Sequence, residues 1–192
     1  MNKNLNKEAA LTLLKEYNES EALISHGMAV SGVMAHFAKI EGEDPEYWGI
    51  VGLLHDLDYG KYPEAHCTKV VEILKDNDYD DDFIHSVVSH GYGLCCDVEP
   101  IHQMEKILYA TDELAGLITA CAYMRPSRSV NDLEVKSVKK KFKTASFAAG
   151  VNREVILKGA EMTGYSLEDL MKESILGMRA VADEIGLGDT GE

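Results

Sequence analysis

The run GIVGLLHDLDYGKYPEAH, residues 49–66, sets the strongest constraint on what this chain can fold into. An apolar stretch from Ile50 to Leu54 leads directly into His55 and Asp56, and Asp58 follows. An apolar helix of this kind packs inward and carries its imidazole and carboxylate toward the interior. A buried carboxylate without a partner costs several kcal/mol or takes up a proton. A metal ion is the natural partner. The fold must then bring further ligands to the same point from elsewhere in the chain.

The chain has 192 residues, 45% of them hydrophobic, which points to one domain over residues 1–192 with a sizeable core. Only four prolines occur, Leu, Ala, Lys, Glu and Met are plentiful, and β-branched runs are short, which predicts an all-α fold. Apolar residues recur with helical period in residues 3–17 and 21–40. A third helix follows Asp44-Pro45, a capping aspartate before a first-turn proline, and runs from 48 to about 57. Residues 59–63 read as a turn, and further helices are expected at about 64–75, 82–90 and 100–123. A basic helix at 133–143, a helix between Asn152 and Gly164, and a last helix from Ser166 to about 185 complete the pattern. The expected division is a helical core over about 20–123, with C-terminal helices at 133–186 packed on it.

Formal net charge is −14. Such a chain is repelled by long nucleic acids, though a small anion held by a metal and a few basic side chains remains compatible with it. No stretch of 18 apolar residues offers a membrane span, and the polar residues 1–7 lack a following apolar leader segment. These features predict a cytoplasmic protein. Its four cysteines, Cys67, Cys95, Cys96 and Cys121, contain no CxxC pair and are expected as reduced, buried thiols. No feature specifies an oligomeric state.

Two further residues have the placement that the His55-Asp56 doublet calls for. His26 has Leu23, Val30 and Val33 at −3, +4 and +7, so it lies on an apolar helix face. Asp112 interrupts an apolar helix, with Leu108, Ala115 and Thr119 at −4, +3 and +7. The order His26, His55-Asp56, Asp112 resembles the HD-domain superfamily of metal-dependent phosphohydrolases, and the stretch GLLHDLDYGKYPEAH is similar to the surroundings of its doublet. The resemblance covers residues 21–123. It implies an HD-type helical bundle with a metal site in the core. Members that hold two metals show H…HD…H…H…D, and His66 and His90 fill the two additional places in order. His85 stands about 140° around the helix from His90, so the two cannot both face one site. His36 and His102 match no such position and are expected at the surface or as caps.

The implied ligand set is His26, His55, Asp56, His66, His90 and Asp112. Nitrogen and oxygen donors without sulfur suit Mn, Fe, Zn, Co or Ni, and Mg is also compatible. One or two such ions are expected; a pair clamps a phosphoryl group and activates a water, so no side-chain nucleophile is required. The expected substrate is a small phosphorylated compound, nucleotides included. Asp56 is the expected catalytic centre of the set. Asp58 either serves as an acid–base partner or orients a ligand histidine, and Lys61 is placed to grip phosphate. Lys136, Lys139, Lys140 and Lys143 share one face of the basic helix, with Arg125 and Arg128 just before it; this face is either a phosphate-attracting rim or an ordinary solvated surface. The same ligand order also serves HD-fold diiron oxygenases, and a non-catalytic sensor keeping its metal for structure is a third reading.

Overall fold

Helix boundaries follow local capping chemistry. Asn6 accepts from the amides of Glu8 and Ala9 and opens α1 (Lys7–Tyr17). α2 (Glu21–Glu41) ends at Gly42 in the left-handed conformation. Asp44 caps α3 (Pro45–Leu54) through the Glu46 amide. α4 (Lys69–Asp76) and α5 (Asp81–Val88) follow, the latter capped by Asp80. His102 and Glu105 form a reciprocal cap on α6 (Gln103–Tyr123). α7 (Val135–Phe142), α8 (Arg153–Thr163) and α9 (Leu167–Arg179) complete the chain order. The computed structural model describes residues 5–189, so the expected start of the first helix at residue 3 lies outside the described residues. Among the described residues no strand forms, and the fold is all-α as expected.

Several boundaries depart from the sequence expectation, and two of them shape the site. α3 stops at Leu54 instead of continuing to 57, and residues 55–62 run as tight turns closed by Leu57 N to Leu54 O, Tyr59 N to Asp56 O and Tyr62 N to Asp58 O. α4 begins at Lys69 instead of 64, because Cys67 has a φ of 64°, incompatible with a right-handed helix. α9 ends at Arg179 instead of 185, and the following turns tuck Leu187 into the core.

α2 is the central helix and packs on α3, α6 and α9. Its residues Val30, Val33, Met34 and Phe37 are fully buried, as are Val51, Leu53 and Leu54 of α3 and Leu108, Leu114 and Ile118 of α6. Burial of each such side chain contributes about 1.5–3 kcal/mol before the entropy of ordering is counted. Glycine allows a close crossing of α9 on α2: a Cβ on Gly177 would stand 2.6 Å from the Cα of Val33. Asp112 on α6 and His26 on α2 are brought together by the direct packing of those two helices. Among the described residues no helix is long and apolar enough to cross a membrane.

Candidate metal centre

Four segments deliver the chemistry to one point. His26 comes from α2, His55 and Asp56 from the end of α3 and its following turn, and Asp112 from α6. His26 Nε2 lies 2.8 Å from Asp112 Oδ1 and 4.0 Å from Asp56 Oδ2. His55 Nε2 lies 3.4 Å from Asp56 Oδ2 and 3.3 Å from Asp112 Oδ1. The other oxygen of Asp56 faces a second histidine pair: Oδ1 is 3.4 Å from His66 Nε2 and 3.4 Å from His90 Nε2. Those two nitrogens are themselves 3.3 Å apart.

The tautomers follow from the bonds on the other side of each ring. His55 Nδ1 donates to Gly52 O at 2.7 Å, and His90 Nδ1 donates to Val87 O at 2.6 Å. His66 Nδ1 donates to Asp58 Oδ1 at 2.7 Å. In a neutral imidazole each Nε2 then carries a lone pair. These lone pairs point at carboxylate oxygens and at one another, which is repulsive unless a cation or a proton stands between them. His55 Nε2 is buried and has no hydrogen-bond partner. An orphaned buried nitrogen of this kind calls for a ligand. Three donors of a tetrahedral set at about 2.0–2.1 Å from one ion stand about 3.3–3.4 Å apart. The His66, His90 and Asp56 Oδ1 spacings meet that requirement, so the residues fit a metal.

Electrostatics favour the same conclusion. Burial acts to lower the pKa of His55, but the Asp56 and Asp112 carboxylates prevail and hold it well above the ordinary 6.5. Burial acts to raise Asp56, but His55 and His90 keep it well below the usual carboxylate range. Asp112 is likewise lowered against burial, by His55 and His26. The cluster therefore stabilises two carboxylates that require positive charge in a partly buried site.

The structure assigns several predicted residues elsewhere. Asp58 is fully buried, and its Oδ2 accepts from the Val70 amide at 2.8 Å while Oδ1 holds His66. With both oxygens engaged it positions His66, and of the two roles expected from sequence the orienting one fits. Lys61 turns to α1, its Nζ 5.0 Å over the Tyr17 ring. Arg125 forms a two-pronged pair with Asp132 at 2.7 Å. Lys136 pairs with Glu134 and Lys139 with Glu168, each at 2.5 Å. Lys140 is exposed on the same face. Two lysines of this face, Lys136 and Lys139, are thus paired with neighbouring acids. His85 pairs with Glu105 at 2.9 Å, away from His90, while His36 meets Glu173 at 2.8 Å and His102 caps α6.

Two features escaped sequence reasoning. A cavity of about 510 Å³ opens beside His26, lined by Glu21, Ser25, Thr119, Tyr123 and Glu184 among others. Ser25 and Thr119 were legible only as helix positions neighbouring His26 and Asp112. Arg128, left-handed at φ 51°, stacks 5.7 Å over the Tyr123 ring at this cavity's edge. The second feature is sulfur: Cys67 and Cys95 pair as a disulfide, with Cα atoms 6.3 Å apart, where reduced thiols were expected. Residues 28 apart in sequence meet there because both flank ligand histidines brought together by the fold.

The HD domain family model matches residues 23–117, from the start of α2 to the middle of α6. No curated protein and no solved structure matches the chain.

Proposed function

The chain belongs to the HD-domain family through residues 23–117, and we propose that it is a two-metal phosphohydrolase acting on a small phosphorylated molecule, a nucleotide included. Membership implies a metal-dependent hydrolase type of chemistry. The observation that carries the finer reading is the division of Asp56: Oδ2 faces His26 and His55, and Oδ1 faces His66 and His90. A carboxylate so placed joins two ligand sets. His26, His55, Asp56 and Asp112 would hold one ion, and His66, His90 and Asp56 the other.

When bound, a pair of divalent cations supplies an activated water near neutral pH and neutralises charge on the transferring phosphoryl group. The protein's part is orientation. Gly52 O, Val87 O and Asp58 fix three imidazole rings before substrate arrives, so no reorganisation is needed at the moment of reaction. Among the described residues lining the cavity beside His26 there is no Lys or Arg. Attraction for phosphate then rests on the metals, and the cavity takes the organic part of the substrate. Arg128 at its edge is the basic side chain best placed to meet a further anionic group.

The test is phosphate release from a panel of nucleotides and sugar phosphates, run with Mn, Co, Fe, Zn, Ni and Mg in turn. Metal-dependent release that disappears in Asp56→Ala, together with the bound metal, supports the reading. Loss of activity in that variant should be roughly 10³-fold. Absence of phosphate release with every metal would overturn it, and oxygen uptake by the iron-loaded protein would assign the site to oxygenase chemistry instead.

A further inference from the structure

The two halves of the site are held by different means. His26, His55 and Asp112 ride on packed helices or their ends. His66 and His90 lie on irregular segments, and each is followed closely by a cysteine or a cysteine-bearing loop: Cys67 is the next residue after His66, and Cys95 lies five residues after His90. A ligating atom from each of His66, Cys67 and His90 falls within a 4.8 Å cluster, and the sulfurs of Cys67, Cys95 and Cys96 form another. The loop is folded tightly for this purpose. The amides of Leu94, Cys95 and Cys96 all donate to Gly91 O, at 3.0, 3.0 and 3.2 Å. A side chain at Gly91 would collide with the sulfurs of Cys67 and Cys95, so only glycine leaves room for their bond.

We propose that Cys67 and Cys95 form a redox-active disulfide that latches the His66–His90 half of the metal site, so that reduction selectively weakens binding of the second metal. This rests on the two-metal reading above. Cys67 is buried at 3% exposure, whereas Cys95 is exposed. Cys95 is therefore the more open side of the bond. A thiolate of an external dithiol attacks Cys95 Sγ, breaking the Cys67–Cys95 bond and forming a mixed disulfide, and Cys67 leaves as the thiolate. The second thiol of the reductant then attacks its own sulfur in the mixed disulfide and releases Cys95. Two electrons pass from the dithiol, which becomes a cyclic disulfide, and its two protons end on Cys67 and Cys95. The reverse exchange, with an oxidised dithiol, restores the latch. Cys96 Sγ donates to Val88 O at 3.3 Å and stays a bystander.

Loss of the bond frees the backbone at Cys67, held at φ 64°, and leaves Asp58 as the remaining side-chain anchor of His66. Helix packing around His26, His55 and Asp112 contains no such link. The effect is confined to one half of the site.

The experiment uses the intact chain, equilibrated with reduced or oxidised dithiothreitol, freed of it by anaerobic gel filtration, and titrated with Mn(II). Alkylation and peptide mass mapping report the disulfide, and metal analysis reports the two affinities without reference to activity. The expected result is a reversible Cys67–Cys95 bond, with the weaker Mn(II) affinity falling about tenfold on reduction and the stronger unchanged. Cys95→Ser should match the reduced protein in both redox states, while Cys96→Ser should respond like the wild type. Failure of the bond to form in oxidised dithiothreitol overturns the proposal. Two Mn(II) ions bound with equal affinities in both states overturn the latch and leave the two-metal reading standing. A single Mn(II) per chain in both states overturns that reading and the latch with it.

Discussion

The half-site of His26, His55 and Asp112 and the half-site of His66 and His90 share one carboxylate, Asp56, yet they are built on opposite principles. The first is carried by α2, the end of α3 and α6, whose fully buried faces set the spacing of its donors. The second is carried by turns: His66 follows a 3₁₀ turn at Pro63–Ala65, and His90 sits within another at Ser89–Gly91. Helix packing is rigid because it is cooperative over many buried contacts. Turn-borne ligands need individual anchors, here Asp58, Val87 O and the Cys67–Cys95 bond. One cluster thus combines donors set by helix packing with donors set by turns and individual bonds.

Removing a ligand from each half separates them most sharply. His55→Ala should abolish metal-dependent turnover and leave a poorly filled first half. His90→Ala should reduce bound metal from two ions to one per chain, with helix content retained by circular dichroism. An unchanged metal ratio in His90→Ala would merge the halves into one mononuclear site. A smaller effect is expected one step out from the ions. Asp58→Asn weakens the hold on His66 and should lower affinity for the second metal by about 10-fold, with the first affinity unchanged in the same titration.

Acidity sharpens the comparison from the other side. His55 has a raised pKa in the metal-free fold. Its contribution to stability is full below its ordinary value of 6.5 and is lost as pH rises through the raised value. Asp56 and Asp112 are lowered, so their contribution is present above their ordinary 3.8 and is lost as pH falls through the depressed values. A bound metal replaces the proton of His55. The rise in Tm on adding Mn(II) should therefore grow from pH 6 to pH 8, each kcal/mol of added stability appearing as roughly 2–4 °C. A rise that is flat with pH would remove His55 from the competition between proton and metal.

The smallest effect is expected far from both halves. Lys139→Glu combined with Lys140→Glu should leave substrate KM within about twofold, because Lys139 is already paired with Glu168 at the surface. A large rise in KM would restore the basic face of α7 to the substrate's path.

Much of the first half was legible in the chain itself. His26 and Asp112 stand at helical spacing from apolar residues, and that spacing alone aims them inward. The second half was legible only as an order of histidines. Nothing local says that His66 is oriented by Asp58, since their ring-to-carboxylate bond depends on the turns after α3. The basic helix shows the same limit. Four lysines on one face left an anion rim and a solvated surface both open, and the pairing of Lys139 with Glu168, 29 residues on, is visible only in the folded chain.

By itself the sequence determined the helical architecture, its caps at Asp44, Asn152 and Ser166, and the inward direction of His26 and Asp112. These are consequences of periodicity and of short-range hydrogen bonding, which act over three or four residues. Tertiary structure alone decided that Asp56 would turn one oxygen to each histidine pair, that Asp58 would bond the His66 ring, and that Cys67 would meet Cys95. Those outcomes require segments distant in the chain to arrive within a few ångströms of one another, and long-range packing, not local spacing, sets such distances.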